Sequence, residues 1–314
     1  MQHCVVAGRP IPAIGFGVGT AWFAATPGPQ QTELARSVHA ALDAGATQNA
    51  GLSICHIDEA EMYQNEGTTG AAMSAWLTAN PAMPRGSLFV TSKVMSVDDG
   101  IESVCKRTLA ALQLSYLDLY LIHAPFQRSG APFATPLLEA WRQMEALVDA
   151  GLVRAIGVSN WRVADLRQIV DSARIPPSCN QVEAHPYLQQ PALMRFCKEH
   201  SILVTAYSPL APLTKPALHG GPVDAAVAAA AAVHGRTMAQ VLLRWSLQTG
   251  RLPITTTSKP ERLGEYLAIF DFQLSTEQVQ AISAAGALKP QRFFWTKCGG
   301  QFKDDPLEEE DSAP

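Results

Sequence analysis

Short apolar runs alternate with helix-spaced stretches from residue 14 to residue 270, and this rhythm constrains the fold more than any other feature of the chain. Runs at 14–18, 53–58, 87–93, 117–123, 153–158, 179–182, 202–206 and 252–256 are apolar and β-branched, as strands buried on both faces are. Each is followed by helical spacing, at 32–44, 66–79, 97–113, 136–150, 163–172, 191–200, 224–233 with 237–249, and 260–270. Gly45, Asn80-Pro81 and Gly151 supply helix stops. Eight such units in roughly 260 residues predict an α/β fold of the (β/α)8 TIM barrel type. A small N-terminal hairpin is predicted around Ala7-Gly8-Arg9-Pro10, and a long loop at 209–223.

A doubly wound sheet is the alternative, but it lacks its phosphate-binding loop here. The glycines of Ile14-Gly-Phe-Gly-Val-Gly-Thr20 are spaced GxGxG, not GxGxxG, and a Pro- and Gly-rich stretch follows where a helix should start. That segment reads instead as a strand whose backbone something approaches closely. No linker divides residues 1–303, so one barrel domain is expected. Residues 304–314 carry six acids and no base, and are expected to be a disordered, solvating tail.

The chain has 24 basic and 28 acidic residues; without the tail the balance is 24 to 22, or +2. A near-neutral body predicts neither a nucleic-acid nor a membrane-surface partner. Six cysteines show no CxxC spacing, the first ten residues lack an apolar core, and no run of about 20 apolar residues exists. A soluble, reduced, cytoplasmic protein is expected.

A TIM barrel places its chemistry at the C-terminal ends of its strands. The second strand, within ICHIDEAEMYQNE, ends at Asp58 with Tyr63 just beyond; the third ends at Lys93 and the fourth at His123. The next ends bring Ser159-Asn160, Gln181-Val182-Glu183, Tyr207-Ser208 and Thr255-Thr256-Thr257 to the same rim. A lysine held against an acid stays cationic, and a cation beside a phenol is expected to lower the phenol's pKa from about 10. A neutral histidine can orient a carbonyl oxygen. Together they suit protonation of a developing alkoxide during hydride addition, with the hydride drawn from a cofactor. Metal chemistry on His56, His123, His185 and Asp58 is the competing reading, but no HxH pair ends a strand. A glycosidase would use two rim carboxylates, here Asp58 and Glu183, and would leave Lys93 and Tyr63 unexplained.

These residues sit in the segments HIDEAEMYQNE, LFVTSK, LDLYLIHAP, GLVRAIGVSNW, NQVEAHPYL, AYSPL and SKPERLGEY. In that order the segments resemble the aldo-keto reductase family nearly end to end, with ITTTSKPER similar to the fungal ketoamide and conjugated polyketone reductase branch. The resemblance implies a barrel that binds NADPH without a Rossmann domain and reduces a small-molecule ketone or aldehyde. It implies that Asp58, Tyr63, Lys93 and His123 form a catalytic tetrad, with Tyr63 the general acid, its pKa depressed by Lys93. It places Ser159, Asn160 and Gln181 on the nicotinamide amide, Tyr207 against the nicotinamide ring, and Ser208 and Leu210 on the pyrophosphate loop. Thr256, Thr257 and Arg262 fall at the 2′-phosphate, and Glu265 near the adenine. No resident metal is implied, and a monomer or weak dimer is expected. A cofactor-binding regulatory subunit with little turnover, as in channel β-subunits, is the alternative class on the same fold.

Four departures bear on function. Thr256 and Thr257 replace the family's usual lysine and serine, so preference for NADPH leans on Arg262, with Lys259 a helper. Pro212 stands where a serine is common. Ala124 follows the histidine where a bulky tryptophan is frequent, and should widen a pocket lined by Trp22, Tyr63, Phe126 and Trp295. Residues 46–53 (ATQNAGLS) read as an insertion, predicting a bulged loop on the bottom rim and an undisturbed tetrad above it.

Overall fold

In the computed structural model, which describes residues 3–48 and 55–296, the eight strands close on themselves. A hairpin of β1 (His3–Val6) and β2 (Arg9–Pro12) precedes β3 (Gly15–Gly17) and α1 (Pro29–Gln48). Then come β4 (Cys55–Asp58), α2 (Glu66–Ala79), β5 (Leu88–Val94), α3 (Ile101–Leu112), β6 (Leu119–Ile122) and α4 (Leu137–Asp149). They are followed by β7 (Ile156–Ser159), α5 (Val163–Val170), β8 (Cys179–Glu183), α6 (Pro191–Glu199) and β9 (Leu203–Tyr207). The chain ends with α7 (Ala211–Thr214), α8 (Pro222–His234), α9 (Met238–Gln248), β10 (Arg251–Thr255), α10 (Glu261–Leu267) and α11 (Thr276–Ala287). The barrel order is β10-β3-β4-β5-β6-β7-β8-β9, with every neighbouring pair parallel.

Apolar side chains fill two layers. Phe89, Leu119, Leu121, Leu252 and Ile254 cluster with Val6 and Ile11 of the hairpin, which plugs the bottom of the barrel. A larger layer lies between strands and helices, from Leu34 and Leu42 of α1 round to Leu193 and Phe196 of α6. The hairpin is tied down where Asp118 accepts from Arg9 at 3.3 Å and Arg85 at 2.8 Å.

Three features depart from the sequence expectation. Helix α1 runs through Gly45 to Gln48 instead of stopping at residue 44, so part of the 46–53 insertion lengthens the helix. Ala40, Ala41, Ala44 and Ala46 surround that glycine, and their strong helix propensity offsets the cost of about 1 kcal/mol for one Gly. Residues 49–54, where a bulge was expected, and the acidic tail at 304–314 lie outside the described residues. Helix 97–113 is broken: a 3₁₀ turn, Val97–Asp99, ends at Gly100 with φ +84°, and α3 starts afresh at Ile101. Helix α11 was not anticipated. Its start was legible in Ser275-Thr-Glu-Gln278, where Ser275 accepts from the Gln278 N–H and Gln278 accepts from the Ser275 N–H. It packs on α8 and closes a further apolar cluster.

Among the described residues no single helix is long and apolar enough to cross a membrane.

The α2–α3 contact depends on Gly70, where a Cβ would lie 2.5 Å from the Ala111 carbonyl oxygen and the Leu112 Cα. Gly70→Ala should destabilise the fold by about 1–3 kcal/mol, as overpacking does. Gly67→Ala, in the same helix with nothing within 4 Å, should stabilise it by about 0.5–1 kcal/mol. Urea unfolding of the two variants checks both signs.

Candidate active site

Three strand ends and one turn converge at the C-terminal rim. Asp58 is the last residue of β4, Lys93 the penultimate residue of β5, and His123 directly follows β6. Tyr63 closes a 3₁₀ turn, Glu61–Tyr63, which Glu61 fixes by accepting the Met95 N–H at 2.9 Å and the Ser96 N–H at 3.1 Å. Glycine at 19 is what admits the phenol: a Cβ there would lie 2.6 Å from Tyr63 Cζ. The close approach expected along Ile14–Thr20 is therefore made by Tyr63 at Gly19, and by Ile254 and His56 at Gly15.

Lys93 is 0% exposed and all three of its ammonium hydrogens are used. It donates to Asp58 Oδ1 at 2.6 Å, to the Glu59 carbonyl at 2.9 Å and to Tyr63 Oη at 3.3 Å. The other oxygen of Asp58 accepts from Gln181 Nε2 at 2.7 Å. Burial draws the Lys93 pKa down, but Asp58 and then Tyr63 outweigh it and hold it at about 12. His123 is driven well below 6.5 by burial and then by the Lys93 charge, so its imidazole is neutral, and its Nδ1 is buried without a hydrogen bond. Its ring meets the Tyr63 ring edge-on, with centroids 5.8 Å apart.

One electrostatic expectation is corrected. Burial pushes the Tyr63 phenol above its ordinary 10.0; Lys93 pulls it down without prevailing, and Asp58 opposes that pull. Lys93 already has a carboxylate at 2.6 Å, which offsets part of the field it presents to the phenol. The site also holds an acid that sequence reasoning did not single out. Glu59 is fully buried, accepts the Ala60 N–H at 2.8 Å, and has its pKa pushed by burial up to about 8.

The remaining rim residues form a hydrogen-bonded ring. Ser159 Oγ donates to the Gln181 carbonyl at 2.7 Å, and Asn160 Nδ2 donates to the His123 carbonyl at 2.9 Å and to Ser159 Oγ at 3.0 Å. Tyr207 Oη donates to Asn160 Oδ1 at 2.8 Å. Asn160 and Ser208 both take left-handed backbone, with φ +61° and +55°, and turn the chain out of β7 and β9. Leu210 precedes α7 on the following loop. At the end of β10, Thr256 Oγ1 is buried with no partner, and Thr257 Oγ1 caps the turn to Lys259 at 3.0 Å. Arg262 and Glu265 lie exposed on the adjoining α10.

The aromatic wall differs from expectation. Trp22 is 1% exposed and points into the core, where it packs on Phe16 and donates to Glu33 at 3.2 Å. Its neighbour Phe23, 42% exposed, meets the Tyr63 ring instead, at 6.2 Å. Ala124 is fully buried. Trp295 closes on that side, 6.0 Å from the His123 ring and 5.5 Å from Phe126, with Met62 and Met95 packed alongside. Among the described residues no three His, Cys, Asp or Glu side chains are grouped to hold a metal. His56 is paired with Thr91 and His185 with Glu183.

The chain is similar to known proteins along most of its length. The model of the aldo/keto reductase family matches residues 13–287. The NAD/NADP-dependent indole-3-acetaldehyde reductase of Schizosaccharomyces pombe is 37% identical, over 91% of this chain and 96% of that protein. The NADPH-dependent alpha-keto amide reductase of Saccharomyces cerevisiae is 36% identical, over 94% of each. Among solved structures, the aldose reductase from Schistosoma japonicum superposes with a TM-score of 0.82 at 31% identity, covering 99% of this chain and 100% of that one. A Bombyx mori aldo-keto reductase in complex with NADP gives 0.78 at 30%, covering 90% and 92%. With the family model covering most of the barrel and relatives matched almost end to end, the chain belongs to the aldo/keto reductase family.

Proposed function

We propose that this protein is an NADPH-dependent carbonyl reductase acting on activated ketones or aldehydes, with Tyr63 as its general acid. The observation that carries the reading is the donor accounting at Lys93. Its hydrogens go to Asp58, Glu59 and Tyr63, so Tyr63 Oη accepts from Lys93 and its own hydrogen is left to point at a substrate.

The rim supports NADPH. Thr256 Oγ1 is a buried polar atom without a partner, and Arg262 is exposed on α10, the helix that follows. A guanidinium fork suits a phosphate, and such a pairing recognises the 2′-phosphate of NADPH. In this reading Arg262, Thr256 and Thr257 hold that phosphate, with Glu265 toward the adenine. Ser208 and Leu210 would border the pyrophosphate. Ser159, Asn160 and Gln181 would hold the carboxamide, and Tyr207 would stack on the nicotinamide ring. When bound, the cofactor supplies the hydride that no side chain carries.

The chain's own residues do the rest. Neutral His123 donates a hydrogen bond to the carbonyl oxygen and aligns it beside Tyr63. The raised pKa of Tyr63 keeps the phenol protonated through neutral pH, so the proton is in place when negative charge develops on that oxygen. As the proton leaves, Lys93 stabilises the phenolate through its hydrogen bond to Oη. Asp58 is not the acid, because both its oxygens accept, from Lys93 and from Gln181. Phe23, Phe126 and Trp295 give the pocket aromatic walls with one polar corner, which favours apolar or aromatic carbonyl compounds over sugars.

Loss of NADPH absorbance with an activated dicarbonyl tests the assignment. Tyr63→Phe should lower kcat by roughly 10²–10⁴-fold while NADPH still binds; equal turnover in the two proteins would contradict it and favour a regulatory, cofactor-binding role. For cofactor choice, Arg262→Ala should weaken NADPH roughly tenfold or more, the size of a lost charge-assisted contact, and leave NADH nearly unchanged. Equal weakening of both, read by fluorescence titration, would remove Arg262 from the 2′-phosphate site.

A further inference from the structure

The carboxylate on the β8 rim has no part in the proton transfer described above, yet it is among the most completely enclosed side chains in the molecule. Glu183 is 0% exposed. Its two oxygens accept main-chain hydrogen bonds from a segment 110 residues further along the chain. Phe293 N–H lies 3.1 Å from Oε1 and from Oε2, and Phe294 N–H lies 3.0 Å from Oε2. His185 Nε2 stands behind Oε1 at 3.2 Å, so the carboxyl is braced from within the barrel. Gln190 donates to the Glu183 carbonyl at 2.7 Å and fixes the rim backbone.

The residue immediately after the clamped pair is Trp295, which closes the site over His123 and Phe126. Trp295 has φ +62°, in the left-handed region that bulky side chains rarely adopt. Such a conformation persists only where the surroundings impose it. The approach is also tied: Gln291 N–H donates to the Tyr187 carbonyl at 2.8 Å, on the loop that follows β8. That loop is backed by α11, where Gly286 lets the helix meet the Pro186 backbone and Gln189 donates to the Ser283 carbonyl at 2.7 Å. On the outer side, Lys215 sits over the Phe294 ring at 4.7 Å.

We infer that Glu183 is a positioning residue for substrate selection: by clamping the Phe293 and Phe294 amides it holds Trp295 against His123 and sets the size of carbonyl compound the site accepts. Its substrate readout rests on the carbonyl-reductase reading; its structural readout does not. The clamp grips main-chain N–H groups, which any residue but proline supplies. It therefore fixes where the segment runs, while the residue at 295 decides what wall is presented.

The test uses the NADPH-loaded protein. Hydrogen exchange of a peptide spanning residues 291–296 should be slow at Phe293 and Phe294. It should speed up at least about fivefold in Glu183→Gln, in which an amide N–H₂ replaces one acceptor oxygen. In the same variant the kcat/KM ratio of a small dicarbonyl (diacetyl) to a bulky aryl ketoester (ethyl benzoylformate) should shift at least about fivefold toward the bulky one. The shift should come through KM, with kcat for the small substrate kept. Trp295→Ala should give the same shift, and the double variant no more than either alone, because both remove one wall. Should Glu183→Gln not fold, Phe294→Pro removes one clamped N–H from the opposite partner without touching the barrel, and the same two readouts apply. Unchanged exchange would overturn the proposal. So would faster exchange with an unaltered substrate ratio, the mark of a purely structural carboxyl, or selectivity shifts that add. If the wild type reduces no carbonyl compound, the functional reading fails, and the exchange comparison still decides whether the clamp exists.

Discussion

A lysine ammonium with no solvent contact, 2.6 Å from one carboxylate, is the constraint on which the site depends. Taking either charge out of water alone would cost several kcal/mol, so each is tenable only with the other in place. Removing one partner of such a pair typically costs about 3–5 kcal/mol, because the survivor is left buried and uncompensated. The pair therefore ties β4 to β5 at the rim, in the register in which Asp58 lies beside Thr91. Gln181 adds a third strand, since its amide reaches across the barrel to the free oxygen of Asp58 at 2.7 Å. Residues from three strands are thereby committed to one geometry before any ligand arrives.

The same pair sets the protonation states around it. Lys93 has a close counter-charge, so it depresses the phenol of Tyr63 less than a free ammonium would, and burial prevails. It still adds to the desolvation that keeps His123 neutral. The result is a protonated phenol and a neutral imidazole side by side, which are a proton donor and a hydrogen-bond donor suited to one carbonyl oxygen. Glu59 lies against this group with its pKa pushed by burial to about 8, so at pH 7 it is mostly uncharged and adds little negative charge to the Lys93 surroundings.

The strand rhythm and the rim residues were legible in the sequence for a physical reason. Strands buried on both faces must be apolar, so a polar residue at the end of each run marks the point where the chain leaves the barrel. Asp58, Lys93 and His123 each stand at such a point. Side-chain direction in irregular segments was not legible. Trp22 and Phe23 are neighbours of similar character, and only the packed structure shows that one enters the core while the other faces Tyr63. The space left by Ala124 could not be read either, because Trp295, which occupies that side, comes from a segment about 170 residues away. The sign of the Tyr63 shift was missed because it is a balance between burial and a charge pair. Residue types name the charges and leave the burial unstated.

Tyr63 is held as a protonated phenol by burial, against a lysine whose charge Asp58 partly offsets. Ultraviolet difference titration of the protein against its Tyr63→Phe variant isolates this one phenol. No tyrosinate signal from Tyr63 should develop until the pH passes the phenol's ordinary 10.0. A tyrosinate signal rising near neutral pH, absent in the variant, would show instead that Lys93 prevails over burial.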